Sequence, residues 1–174
     1  CERPEASHYA AYNGGNEDSL DANNGGAPID GNSTAFDAMK ALVNNTSTPD
    51  YWAKVQQVID IDQYIDYQII NKFGGNGDLK SNGNWRSAGG GTFPVGQPEL
   101  MAPWQLYSWD GERTLEGETA SNTPLDPFGV RGTLQGNDEY KMRFADRLHQ
   151  YFFNNGALTP AATKARWMKY ANVL

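Results

Sequence analysis

The sequence predicts an α+β domain in which helix dominates, and three observations predict it. Apolar residues recur at helical spacing in five stretches. Two short, aromatic-containing stretches with strand character lie between the third and fourth of these. Gly, Asn, Asp and Pro collect at the joins.

Residues 1–33 carry little periodicity. Asn, Gly, Asp and Ser dominate from Asn13 to Ser33, with two Gly-Gly pairs, and the stretch reads as a solvated surface loop with turns at the glycines. The acids Glu17, Asp18, Asp21 and Asp30 fit no EF-hand spacing. The first helix is expected at 34–43, with Ser33 or Thr34 as cap and Phe36, Met39, Leu42 and Val43 on one face. Thr48-Pro49-Asp50 reads as a helix start, since Pro suits the first helical position, and places the next helix at 49–58. Asp60, with Gln63 placed for a capping box, begins a third at 61–73. Its stripe is Ile61, Tyr64, Ile65, Ile69 and Phe73, and Gly74-Gly75 stops it.

An antiparallel strand pair is expected near 84–88 and 102–109, with Pro103 opening the second strand. Residues 111–136 read as a long loop broken by Pro124, Pro127 and Gly129. Helices return at 138–153, with Tyr140, Phe144, Leu148, Tyr151 and Phe152 as the stripe, and at 160–173. The last opens on Thr159-Pro160 and carries Trp167, Met168, Ala171 and Leu174 as core or interface positions.

The chain has 174 residues, enough for one domain with a real core. A net charge of −7 argues against nucleic acid or an anionic membrane as partner, since both attract clustered Lys and Arg. No apolar run approaches the ~20 residues of a membrane span. The single cysteine, Cys1, excludes an internal disulfide framework or a thiolate metal site. The chain opens CERPEAS and ends KYANVL, and reads as a piece of a longer polypeptide.

The chemistry concentrates between Gly74 and Gly111. Asp78 sits in an Asn/Gly-rich loop just past the third helix. Asp110 lies where the second strand gives way to a loop, and the strand pair is expected to carry both acids toward a common point. Carboxylates and amide oxygens at strand ends are hard donors suited to a divalent metal and to phosphoryl transfer.

Five stretches resemble the CotH (spore-coat protein H) kinase family of secreted or surface-associated atypical kinases. They are ERPEASHYAAYNGGNED, IDIDQYIDYQIINKFGGNGD, the Asn-Trp of SNGNW, WQLYSWDGERTL and FADRLHQYFFNNGALTPAATKARW. The resemblance spans most of the chain. It implies a kinase-like large lobe over residues 1–174, with a β-rich N-terminal lobe, bearing the nucleotide-clamping Lys and phosphate loop, outside this chain. The ERP segment would lie near the hinge between lobes. It implies ATP and Mg²⁺ or Mn²⁺ as cofactors, a surface or extracellular protein as substrate, and transfer to Ser or Thr. By the same resemblance Asp78 is the catalytic acid, while Asn84, with Asn82 as its rival, and Asp110 are the metal ligands. Asp110 is followed by Gly111-Glu112, where ordinary kinases carry Asp-Phe-Gly.

Other readings of the same residues stay open. Asp78 can form an Asx-turn, and Asp110-Gly111 is a common turn dipeptide. Asp62 and Asp66 suit a solvated helix face. His8 and His149 have no second ligand at metal-binding spacing in the sequence. Arg86 suits an ordinary ion pair as well as a phosphate, and Trp104 and Trp109 suit a core. At the level of the whole protein, the alternatives are a non-catalytic pseudokinase and a calcium-stabilised surface adhesion module.

Overall fold

The structure is a computed structural model and describes residues 4–76, 85–90, 102–109, 111, 114–115 and 125–173. It divides into two compact units, Cys1–Gly136 and Asn137–Leu174. The first contains α1 (Ala6–Asn13), a 3-10 turn (Glu17–Ser19), β1 (Asp21–Asn24), β2 (Ala27–Asp30), α2 (Thr34–Val43), α3 (Tyr51–Val58), α4 (Ile61–Gly74), β3 (Trp85–Gly90), β4 (Ala102–Ser108) and α5 (Arg131–Leu134). The second contains α6 (Asp138–Phe152) and α7 (Pro160–Ala171). The fold is helix-rich α+β, as expected, but its sheet has four antiparallel strands in the order β2-β1-β3-β4 rather than two.

The two extra strands correct the reading of residues 1–33 as a solvated loop. β1 is Asp-Ala-Asn-Asn, with no strand-favouring residue, yet it is paired on both sides and its first three residues are buried. Pairing partners, not propensity, make it a strand. Gly25 and Gly26 join it to β2 with φ of 58° and 90°, and Asn24 pairs with Ala27. Two left-handed residues in a two-residue loop are what a tight hairpin needs. Asp21 is 2% exposed and its Oδ1 accepts from the Asn32 amide at 2.9 Å. Asp30 Oδ2 accepts from the Ala6 amide at 3.0 Å and so closes the start of α1.

One side of the sheet buries Ala22 and Ala88 against Ala6, Tyr9 and Leu20. An aromatic core gathers Phe36, Tyr64, Trp85, Trp104 and Phe128. Phe128 lies 5.5 Å from Phe36, 5.6 Å from Tyr64 and 5.8 Å from Trp85, ring centre to ring centre. Phe128 lies within the stretch read as a long loop. That reading is corrected for residues 125–136: Phe128, Val130 and Leu134 are buried. Asp126 Oδ1 accepts from the Val130 and Arg131 amides at 2.9 and 3.0 Å, fixing the turn into α5.

β3 ends on a bulge at Gly90, which has φ of +55°. A β-carbon there would lie 2.8 Å from Ala35 Cβ and 2.9 Å from Trp104 Cζ2. Left-handed strain and overpacking then act together, and Gly90→Ala should cost roughly 2–4 kcal/mol in urea unfolding. A loss below about 0.5 kcal/mol, the range of an ordinary surface change, would show that the bulge relaxes freely.

The α3–α4 junction covers the edge of β4. The Asp60 amide donates to the Trp104 carbonyl at 3.2 Å, and Ile59 bridges Trp104 in parallel. The Gln63 side chain accepts from the Leu106 amide at 2.9 Å and donates to the Leu106 carbonyl. The expected capping box is therefore half formed. Asp60 Oδ1 accepts from the Gln63 amide at 3.1 Å, but the Gln63 side chain serves the strand edge, which would otherwise be unpaired. α3 begins at Tyr51 and not at Pro49. Asp50 is left-handed, with φ of 54°, and makes no side-chain cap. α4 ends as expected, with Gly75 left-handed and the Asn76 amide reaching the Asn71 carbonyl at 3.2 Å. Phe73 is 40% exposed rather than part of the stripe.

In the second unit both long helices are capped, and the Thr159-Pro160 start is as expected. Asn137 Oδ1 accepts from the Tyr140 amide at 3.0 Å, and Thr159 Oγ1 accepts from the Ala162 amide at 3.4 Å, with Pro160 opening the helix. Trp167 and Met168, read as core or interface positions, are exposed at 68% and 42%. Leu174 lies outside the described residues.

Candidate functional site

Asp78, Asn84 with its rival Asn82, and Asp110 lie outside the described residues. Their described neighbours define where the chain arrives at and departs from each. Trp85, one residue after Asn84, is the register partner of Ser108, two residues before Asp110. Asn71, in the last turn of α4, donates from Nδ2 to Ser108 Oγ at 3.1 Å, and the hydroxyl also contacts Asn71 Oδ1 at 3.4 Å. This amide–hydroxyl pair ties the end of α4 to the end of β4. The Leu115 amide donates to the Gly74 carbonyl at 2.9 Å, and a β-carbon built on Gly111 would lie 3.8 Å from Asn76 Nδ2. The ends of α4 and β4 and the start of β3 thus meet at one edge of the first unit. Gly111, which follows Asp110, lies beside Asn76, two residues before Asp78.

Trp109 carries the Arg86 guanidinium over its ring, with the carbon 4.0 Å from the ring centre. Arg86 is 8% exposed and donates from Nη1 to Glu5 Oε1 at 3.4 Å. The ion-pair reading of Arg86 is therefore met, with an aromatic partner added. Sequence inspection alone did not find this stack, because it depends on the strand register that pairs Arg86 with Tyr107 and leaves Trp109 diagonal to it. Trp104 is fully buried, in line with the core reading.

Burial, and next the charge of Arg131, hold the Lys72 ammonium in the last turn of α4 below its usual range. Across the sheet, burial and then the Asp60 charge push the Tyr9 hydroxyl up to about 12. Burial, then Tyr9 and Asp60, raise Tyr107 as well, against an opposing hydrogen bond from Asn13. Both tyrosines stay neutral at physiological pH. The Tyr9 hydroxyl donates to the Pro103 carbonyl at 3.0 Å, so it ties α1 to β4.

A pocket of about 580 Å³ opens at the start of α1, lined among others by Glu5, Glu17, Asp18, Asp21 and Asp30. Asp21, Asp30 and Glu5 have the structural bonds already given. Among the described residues no group of three or more His, Cys, Asp or Glu side chains is arranged to hold a metal ion. His8 packs 4.7 Å from Tyr12 and 5.0 Å from Tyr107, and His149 stacks on Phe153 at 5.2 Å. No helix among the described residues is long and apolar enough to cross a membrane.

A family model described as CotH kinase protein matches residues 7–170. No curated protein matches the chain, and no solved structure does.

Proposed function

The chain belongs to the CotH kinase protein family, and from that premise we propose that it is the large lobe of an atypical surface or extracellular protein kinase. A β-rich N-terminal lobe of the same polypeptide supplies the nucleotide-clamping groups. The lobe pair moves the γ-phosphate of ATP to a Ser or Thr hydroxyl of a surface protein. The observation that supports this reading is the meeting of the α4 end, the β3 start and the β4 end, held by the Asn71–Ser108 hydrogen bonds and the Trp85–Ser108 pairing. These segments lead directly to Asp78, Asn84 and Asp110, and phosphoryl transfer needs such groups on a rigid base.

The donor set fits the expected metal. An Asp110 carboxylate and an Asn84 amide oxygen are hard oxygen donors, and two or three protein ligands suffice for an ion that keeps several waters. When bound, Mg²⁺ or Mn²⁺ neutralises charge on the β- and γ-phosphates. Asp78 orients the acceptor hydroxyl and takes its proton as the oxygen–phosphorus bond forms and ADP departs.

The test uses the full-length polypeptide carrying both lobes. ATP binding is titrated with Mg²⁺, Mn²⁺ or Ca²⁺, and transfer of labelled γ-phosphate is followed on the same samples. Nucleotide binding dependent on Mg²⁺ or Mn²⁺, with label on Ser or Thr, is the expected result. Nucleotide binding without transfer would make the protein a pseudokinase. Calcium binding without nucleotide would replace the kinase reading with an adhesion module.

A further inference from the structure

Arg86 does more at this end of the sheet than an ion pair requires. Its guanidinium is buried, yet among the described residues its carboxylate contact is Glu5, at 3.4 Å with a side chain 34% exposed. A half-open pair at that distance contributes little to stability. Nε is buried without a hydrogen-bond acceptor, and burying an arginine with donors unused is costly. The guanidinium also lies over the face of Trp109, with its carbon 4.0 Å from the ring centre. Tryptophan offers the strongest π-face for a cation, and desolvation strengthens the attraction.

The placement gives that stack a purpose. Arg86 follows Asn84 by two residues in β3, and Trp109 immediately precedes Asp110. Tyr107, two residues earlier on β4, is the register partner of Arg86. One guanidinium therefore stands on the strand that leads out of Asn84 and clamps the ring next to Asp110. It also holds Glu5, the residue that precedes α1. Glu5 makes no side-chain cap to that helix, which leaves its carboxylate available to Arg86.

We propose that Arg86 is a positioning residue for the metal site: its stack on Trp109 sets the separation and orientation of the two segments bearing the proposed ligands Asn84 and Asp110. This rests on the kinase reading above. Groups that orient ligands without touching the ion govern affinity, and their loss lowers metal affinity or activity about 10–100-fold.

The experiment titrates Mn²⁺ into the full-length protein with ATP present, followed by the paramagnetic signal of free Mn²⁺, with thermal unfolding recorded on each variant. Arg86→Met and Trp109→Leu should each weaken Mn²⁺ affinity about 10–100-fold, and the double variant should be no weaker than the worse single one. Trp109→Tyr keeps a π-face and should recover most of the affinity. Glu5→Gln removes the ion pair alone and should leave Mn²⁺ affinity near wild type. Variants that unfold earlier but bind Mn²⁺ as tightly as wild type at a temperature where they are folded would overturn the proposal, as would Glu5→Gln matching Arg86→Met. Absence of Mn²⁺–ATP binding in the wild-type protein would overturn the kinase reading and this inference together. Wild-type binding with unchanged variants would overturn this inference alone.

Discussion

Asp110→Ala is expected to remove metal-dependent ATP binding and to lower phosphoryl transfer about 10³-fold, because stabilising transition-state charge through a metal is worth several kcal/mol. Asp78→Asn should behave differently. It keeps the size and polarity of the side chain but cannot accept a proton, so Mg²⁺–ATP affinity should stay near wild type while kcat falls about 10²–10⁴-fold. The contrast between the two carries the assignment. If Asp78→Asn weakens nucleotide binding as much as Asp110→Ala does, Asp78 is a metal ligand and the proposed division of labour is wrong. If both variants transfer phosphate at the wild-type rate, neither acid is in the site, and the convergence of α4, β3 and β4 serves the fold alone. Replacing Asn82 and Asn84 one at a time by Ala, with Mn²⁺ affinity as the readout, decides between the two amides. The true ligand should lose affinity, and the other should change by less than a factor of about two, the scale of a surface substitution.

What could be read from the sequence was local. α2, α4, α6 and α7 announce themselves through periodicity and stop signals, and their observed ends fall within about two residues of expectation, the usual uncertainty of a helix boundary. β3 and β4 are likewise legible, from their aromatics and from Pro103 near the start of the second strand. The failures share a cause. β1 has no strand propensity and exists because β2 and β3 pair with it. α1, Ala-Ser-His-Tyr-Ala-Ala-Tyr-Asn, has no clear apolar stripe, and Asp30, 24 positions away in sequence, closes its first turn. Thr48-Pro49 and Thr159-Pro160 are the same local signal, yet only the second opens its helix on the proline. At the site, the sequence offered acids beside strand ends. It could not offer the Arg86–Trp109 stack or the Asn71–Ser108 tie, because both depend on which residues face each other once the strands and α4 are in place. The aromatic core was half legible for the same reason: Phe36 and Tyr64 lie on periodic helices, whereas Phe128 sits between Pro127 and Gly129, where turn residues mask it.

Phe128→Ala should therefore be among the most damaging core changes in the first unit. The ring is fully buried and meets Phe36 and Trp85 edge to face, at 77° between planes in both cases, while lying nearly parallel to Tyr64 at 21°. Truncation removes buried apolar surface and leaves a cavity that three large rings cannot easily close. The expected loss is about 3–5 kcal/mol in urea unfolding. Offset and edge-to-face ring pairs add to the cost beyond area alone. Tyr12→Ala is the matched control. That side chain is 69% exposed, and its loss should stay within about 0.5 kcal/mol, as for an ordinary surface substitution. Phe128→Leu should fall between them, since it keeps apolar volume but loses the ring geometry. The segment from Asp126 to Leu134 would then be a structural wall of the first unit, packed against Trp85 at the start of β3. A Phe128→Ala loss no larger than the Tyr12→Ala control would mean that this segment lies loosely over a core complete without it, and that Trp85 is held by its other neighbours.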